Sequence, residues 1–395
     1  MKVTIVGGGP AGLWFALLMK RRDPRLDVTL LERNPADNTF GFGVVFSRRT
    51  TDVLRAHDAD AFRRAEAVLQ HWEDVDVVHR GERIAIGGNH FAGVARIDWL
   101  HVLQQRCREA GVDLRFEEAV ADSAALRRLQ GGCDLLVGAD GVGSLVRETW
   151  RERFEPTLDA RSNRYVWLGT PRLFRALTLI FRERRGAATP RNGLFMAHAY
   201  QFGRAMSTFI VECGEPAWRA AGLDAADEAA SLALLREIFA EDLQGAPLVS
   251  NRSKWIQFLL VKNRRWVHEN VVLLGDAAHT AHFSIGSGTK LAMEDAIALN
   301  ESLGRERPVA AALADFERTR KPVVDAWQEA AFSSTLWFES AHEKLALDPL
   351  PFAFDCMTRS GRIDLEKLRR RDPAFVARYE AWTAGGAARG PAEAS

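Results

Sequence analysis

The sequence predicts an α/β protein with a mostly antiparallel sheet inserted into it and a helical C-terminal region. Three observations lead there. An apolar strand passes through a glycine-rich turn into a helix in MKVTIVGGGPAGLWFALLMKRR, at the start of the chain. Two further buried strands each close on a Gly/Asp pair, in CDLLVGADGVGSLVR at 133–147 and NVVLLGDAAHTAHFSIGSGTKLAMEDAIAL at 270–299. Between those two, segments rich in β-branched and aromatic residues recur at short spacing, the pattern of antiparallel strands.

Taken in order, KVTIVGG is a short buried strand and GGGPAGLWFALLMKRR a turn running into a helix, the context that the G-x-G-x-x-G fingerprint requires. Gly7 permits the tight turn, Gly9 lets the backbone approach a pyrophosphate, and Gly12 lets the helix pack closely on the strand. The phosphates of a dinucleotide would sit on the helix N-terminus. The second strand, DVTLLER, ends at Glu32, twenty residues after Gly12, where a carboxylate accepts hydrogen bonds from adenosine ribose hydroxyls. Arg33 follows, placed either to touch an adenosine phosphate or to face solvent. This is a Rossmann-type beginning, and the fingerprint alone does not separate NAD from FAD.

The next strand, CDLLVGAD, turns at Asp140-Gly141 into a segment with Ser144 and Arg147. RYVWLGT, LTLIFRE, LFMAHAYQF and AMSTFIVEC read as strands of the inserted sheet. His198 and Tyr200 lie two apart on one of them and share a face, which the alternation assigns to neither core nor cavity. FRERRGAATPR at 181–191 reads as a loop carrying Arg182, Arg184, Arg185 and Arg191. After Asp276 the chain reaches Gly286-Ser287-Gly288 and the helical pattern TKLAMEDAIALNESLG, so bare N–H groups and a positive helix end face whatever precedes that helix. Helical periodicity continues through PVAAALADFERTRKPVVDAWQEAAFSSTLWFESAHEKL, with a kink expected at Pro322. KLRRRDP is a second basic cluster, and AGGAARGPAEAS reads as a disordered tail.

Composition bounds the function. At 395 residues, 47% hydrophobic and 27% charged, the chain is long enough for two or three domains with a sizeable core. With 53 Lys and Arg against 52 Asp and Glu, nothing in the overall field calls for nucleic acid or an anionic membrane, which leaves a small molecule as the expected partner. Cys107, Cys133, Cys213 and Cys356 are scattered without C-x-x-C spacing, so neither a zinc site nor a disulfide framework is expected, and a cytoplasmic setting fits. Glycines and a proline interrupt the first apolar stretch, which argues against a secretory signal, and no apolar run approaches the about 18 residues of a membrane span.

The stretches CDLLVGADGVGSLVR and NVVLLGDAAHTAHFSIGSGTKLAMEDAIAL resemble, in the same order, the D-G and G-D motifs of the single-component aromatic hydroxylases, the FAD-dependent family typified by p-hydroxybenzoate hydroxylase. The resemblance implies a glutathione-reductase-like FAD-binding domain in three segments, 1–75, 96–164 and 263–330. It places a substrate domain at 76–95 and 165–262, a helical region at 331–383 and the tail at 384–395. It implies that Asp276 binds the ribityl and pyrophosphate portion of FAD, that Asp140 helps hold the cofactors, and that Arg96, opening the helix ARIDWLHVLQQRC, contacts FAD. It also implies that Gly286 and Gly288 present backbone to the flavin. The resemblance further implies NADH or NADPH as a transient co-substrate, and O2 forming a flavin C4a-hydroperoxide whose distal oxygen passes to an electron-rich ring. The sequence departs from the family pattern at Phe283 and Lys290, where the family has proline and asparagine.

HFSIGSGTKLAMEDAIAL, the run 41–47 with its preceding Phe40, WFE at 337–339 and MTRSGRI at 357–363 look like the bacterial salicylyl-CoA 5-hydroxylases. The violacein-pathway indole hydroxylases share HFSIG and have runs close to AHAY at 197–200 and MSTFIVEC at 206–213. The first resemblance implies hydroxylation of salicylyl-CoA para to its hydroxyl, giving gentisyl-CoA. The alternatives are an indole-derived or other carrier-linked aromatic substrate, or FAD-dependent reduction without oxygen insertion. His198, Tyr200 and His282 are the candidates for activating a phenol hydroxyl. Phe283 and Ser284 are expected on the substrate side, Arg184 and Arg185 at the phosphates of a CoA thioester, and His279 in a structural role. No metal is expected, and the chain is expected to be a monomer or homodimer.

Overall fold

The computed structural model describes residues 1–39, 41–305 and 308–388; Phe40 and the last seven residues of the expected tail lie outside the described residues. The chain forms two units, each assembled from three segments. The first comprises Met1–Leu69, Gly93–Arg161 and Gln257–Ala331, the second Gln70–Ala92, Ser162–Ile256 and Phe332–Ser395.

The first unit is built on a six-stranded sheet in the order Val267–His268, Val271–Leu273, Leu135–Gly138, Lys2–Val6, Asp27–Glu32, Asp113–Phe116. All pairings are parallel except that of the short edge strand Val267–His268. Lys2–Val6, Leu135–Gly138 and Val271–Leu273 are buried almost throughout, as strands covered on both faces must be. Register then fixes the site. Val6 pairs with both Leu31 and Gly138, and Gly138 with Leu273, so the turns that follow at Gly7, Ala139 and Leu274 leave the same edge of the sheet, together with the end of Asp27–Glu32. Helix Pro10–Arg22 packs on Gly288–Gly304 and on Arg96–Glu109.

The second unit carries strands in the order Pro156–Thr170, Met206–Cys213, Leu194–Gly203, Leu177–Glu183, Val75–His79, Glu82–Ile86. The pairings are antiparallel except for Leu177–Glu183 on Val75–His79. Period-2 alternation splits its residues between two cores. Val166, Leu168, Phe195, Ala197, Phe209 and Val211 pack on Leu223, Leu235 and Phe239 of the helical stretch that follows the sheet. Leu179, Phe181, Leu194 and Met196 face the opposite way and meet Trp337, Phe338, Phe352 and Phe375.

Two local expectations differ from the structure. Leu177–Glu183 takes in Arg182, so the basic stretch at 181–191 is a strand end and a turn containing the short 3-10 helix Pro190–Asn192, not a loop throughout. Its arginine at 182 is held by a partner far away in sequence, Asp242. Helix Val309–Glu339 continues as one element through Pro322, which sits on an exposed face. Helix Pro373–Ala388 extends into the stretch read as tail, since its first turns anchor Phe375 and Val376 in the core.

Candidate active site

In the first unit the sequence leaves little freedom at the first turn. Gly7 has φ +112°, and a Cβ there would lie 2.2 Å from the Ala139 carbonyl oxygen; one at Gly12 would lie 2.1 Å from that of Gly7. Strand, turn and helix therefore close on one another only with glycine at both positions. At Gly9 a Cβ would meet nothing within 4 Å, and Gly9 caps Pro10–Arg22 without a side-chain hydrogen bond, so the helix start opens onto free space. Glu32 stands beside this turn. One carboxylate oxygen accepts from the Gly8 N–H at 2.7 Å and the other from the Asn34 N–H at 2.8 Å and its amide at 2.6 Å. Arg33 is exposed.

Asp140 organises the second turn by accepting from Ser144 Oγ at 2.5 Å and the Val146 N–H at 3.1 Å, and burial pushes its carboxyl upward against those bonds. Arg147, buried, donates to the Val142 carbonyl at 2.5 Å and the Ala277 carbonyl at 3.2 Å, which ties the second turn to the third. Of the twelve residues 271–282, Asp276 alone is exposed. Its carboxylate is reached by water yet surrounded by protein; desolvation raises its pKa, while His279 and Arg96 pull it down. Arg96 begins helix Arg96–Glu109, donates from Nε to Thr39 Oγ1 at 3.0 Å, and is lowered by desolvation with Asp276 opposing.

Behind this turn lies a network that sequence reasoning did not find. His279 Nε2 is 2.6 Å from Asp295 Oδ2, and the other Asp295 oxygen accepts from Arg320 Nε at 2.8 Å. Burial alone would raise Asp295, yet the charges and hydrogen bonds of His279 and Arg320 hold it below the usual carboxylate range. His279 is thus tied to Asp295 and, through it, to Arg320. His282, also buried, accepts the Ser284 N–H at Nδ1 (3.3 Å), with Ser284 Oγ 2.9 Å from the same nitrogen, which puts the ring proton on Nε2. Phe283 lies against the His282 ring at 4.1 Å between centroids. The chain then turns at Gly286 and begins helix Gly288–Gly304; a Cβ at Gly286 or Gly288 would meet nothing within 4 Å.

In the second unit His198 and Tyr200 are both buried on one sheet face. His198 Nε2 lies 3.1 Å from Glu212 Oε2, and Asn163 Nδ2 donates to Glu212 Oε1 at 2.8 Å. Glu212 and Asn163 escaped sequence reasoning, although a carboxylate inside MSTFIVEC was the available signal. Tyr200 stacks on Trp72 at 6.0 Å, and burial drives its hydroxyl well above the ordinary phenol value. Of the four arginines at 181–191, Arg182 is committed to Asp242 and Arg184 donates to the Ala220 carbonyl at 2.9 Å, whereas Arg185 and Arg191 are exposed. Among the described residues no group of His, Cys, Asp or Glu could hold a metal ion. No helix among them is long and apolar enough to cross a membrane.

Fold and turns together define a dinucleotide-binding α/β protein of the flavoprotein kind. The family described as FAD binding domain matches residues 1–331, and the chain belongs to that family. It is 42% identical over 393 residues to a salicyloyl-CoA 5-hydroxylase of a Streptomyces species, covering 97% of this chain and 74% of that protein. It is 36% identical to the 3-hydroxy-4-methyl-anthranilyl-[aryl-carrier protein] 5-monooxygenase of Streptosporangium sibiricum, covering 93% and 97%. The protodeoxyviolaceinate monooxygenase of Chromobacterium violaceum is 34% identical, with 91% and 95% covered. The fold is similar to that of tetrameric 2-methyl-3-hydroxypyridine-5-carboxylic acid oxygenase, TM-score 0.68 at 21% identity, covering 94% of this chain and 97% of that one. The chain is an FAD-dependent monooxygenase. Its residues suit the cofactor: an open helix start at Gly9, an exposed carboxylate at Asp276 in an otherwise buried run, and a second open helix start at Gly288 all lie in one unit.

Proposed function

We propose that this chain hydroxylates salicyloyl-CoA at the ring carbon para to the phenol hydroxyl, consuming NAD(P)H and O2. The observation that carries this reading is the 42% identity along 97% of the chain to a salicyloyl-CoA 5-hydroxylase. Bound FAD supplies the redox chemistry, taking electrons from NAD(P)H and activating oxygen. Gly7, Gly9 and Gly12 shape the pyrophosphate turn, with Glu32 on the ribose and Arg33 near the adenosine phosphate. Asp140, Asp276 and Arg96 hold the middle of the cofactor, and Gly286 and Gly288 bring bare backbone to the ring.

The substrate's phenol becomes a better electron source when its proton is drawn away. His198 is the residue for that task, with Glu212 and Asn163 fixing its ring; a buried carboxylate bonded on both oxygens is a firm anchor. Tyr200 lies on the same face as a hydrogen-bond partner, and His282 with Phe283 and Ser284 shapes the flavin side. Arg185, with Arg184 beside it, meets the phosphates of CoA. Four unpaired cysteines support a cytoplasmic enzyme.

The test is NAD(P)H oxidation by FAD-loaded protein given salicyloyl-CoA, free salicylate or tryptophan separately, with product mass measured. Stimulation and a gain of one oxygen with the thioester alone supports the reading. Turnover with the indole moves the enzyme toward the violacein-like relatives, and NADPH use without oxygen in the product overturns hydroxylation.

A further inference from the structure

We propose that Lys290 gives the start of helix Gly288–Gly304 a surplus positive charge that favours the reduced over the oxidised form of the bound flavin. This rests on the reading that the flavin ring lies at that helix start. Lys290 is the third residue of the helix and only 5% exposed. A cation in the first turn opposes the helix dipole, and burial works against it a second time. Burial does push the amine's pKa down, with Glu294 pulling it back. The amine sits 4.1 Å from the centre of the Trp327 ring and 2.9 Å from Glu294 Oε1, so the ring and one carboxylate are what keep it there.

Counting the charges shows what is left over. The Glu294 carboxylate faces Lys290 at 2.9 Å, Arg320 at 3.2 Å and Arg49 at 3.9 Å. Asp295 faces Arg320 at 2.8 Å and His279 at 2.6 Å. Two carboxylates thus meet two buried cations, Lys290 and Arg320, and a third, Arg49, that is largely exposed, while the nearby Asp276 has Arg96 to answer it. Immediately before the helix, Ser287 Oγ is buried, with the residue 1% exposed, and has no hydrogen-bond partner. A surplus charge, a buried hydroxyl awaiting a partner and two glycines with open space make a site for a group whose negative charge comes and goes. A flavin is such a group. Hydride from NAD(P)H brings it two electrons and one proton, which leaves the ring with one negative charge and releases NAD(P)+.

The reduction potential of bound FAD separates this role from a structural one. We compare the FAD-loaded wild type with Lys290→Met and Lys290→Arg by equilibrium titration against a reference dye. One charge acting over about 10 Å in partly buried protein should weaken reduced relative to oxidised FAD about tenfold in Lys290→Met, which for a two-electron couple lowers the potential by about 30 mV. Lys290→Arg should keep the wild-type value. In Glu294→Gln, which removes a neutralising charge, the potential should move the other way, and this variant serves if Lys290→Met does not fold. An unchanged potential in either neutralising variant overturns the proposal, whatever happens to melting temperature or turnover. Failure of the wild type to retain FAD would instead overturn the cofactor reading beneath it.

Discussion

Asp276 serves two opposed ends. The protein around it pushes its carboxyl upward in pKa, so in the cofactor-free protein its ionised form costs folded-state stability at neutral pH, a penalty that solvent at this exposed residue reduces and that is relieved as pH falls. The same exposed carboxylate is the group we assign to the middle of FAD. Asp276→Asn should therefore raise the melting temperature of the cofactor-free protein and weaken FAD retention about tenfold or more, read by thermal melts with and without FAD and by flavin fluorescence titration. Asp295 has the opposite sign. Held below its ordinary value, it contributes stability that is fully present above the unfolded carboxylate pKa and is lost as pH falls through the lowered folded one. Asp295→Asn strands His279 and Arg320 and should cost about 3–5 kcal/mol at neutral pH. Urea unfolding should show that gap narrowing in acid, and a constant gap would mean the loss is one of packing.

At the scale of the element, Val309–Glu339 carries Pro322 on an exposed face inside the helix. Proline there removes one backbone hydrogen bond and crowds the preceding turn, so Pro322→Ala should stabilise the protein by about 1–3 kcal/mol, measured by urea unfolding. The glycine turn was legible because Gly7 and Gly12 answer a steric demand that no other residue meets, and the strands LTLIFRE and MSTFIVEC were legible from their composition. Glu212 against His198 was not, because that contact depends on the register of two strands, with an irregularity between Gln201 and Gly203 that no local rule positions. Arg182 looked like loop charge because Asp242, its partner, lies sixty residues on. Arg147 on Ala277 and His279 on Asp295 are likewise products of packing between segments that the sequence keeps apart.

For the whole molecule, the residues assigned to FAD all fall in the unit of Met1–Leu69, Gly93–Arg161 and Gln257–Ala331. Saturating FAD, at a hundredfold excess over its dissociation constant, should stabilise that unit by about 2.7 kcal/mol. Hydrogen exchange on adding FAD should slow chiefly in those three segments, and protection spread evenly over both units would contradict the assignment. The interleaving of segments also bears on how the protein is born. Strand Lys2–Val6 pairs with Leu135–Gly138, which waits in turn for Val271–Leu273. At the about 5–20 residues per second of synthesis, the nascent first strand stands for about 7–27 s with an unpaired apolar edge outside the ribosome. The N-terminal half emerges as a client for chaperones, and slowing translation should lower the yield of active enzyme rather than improve it.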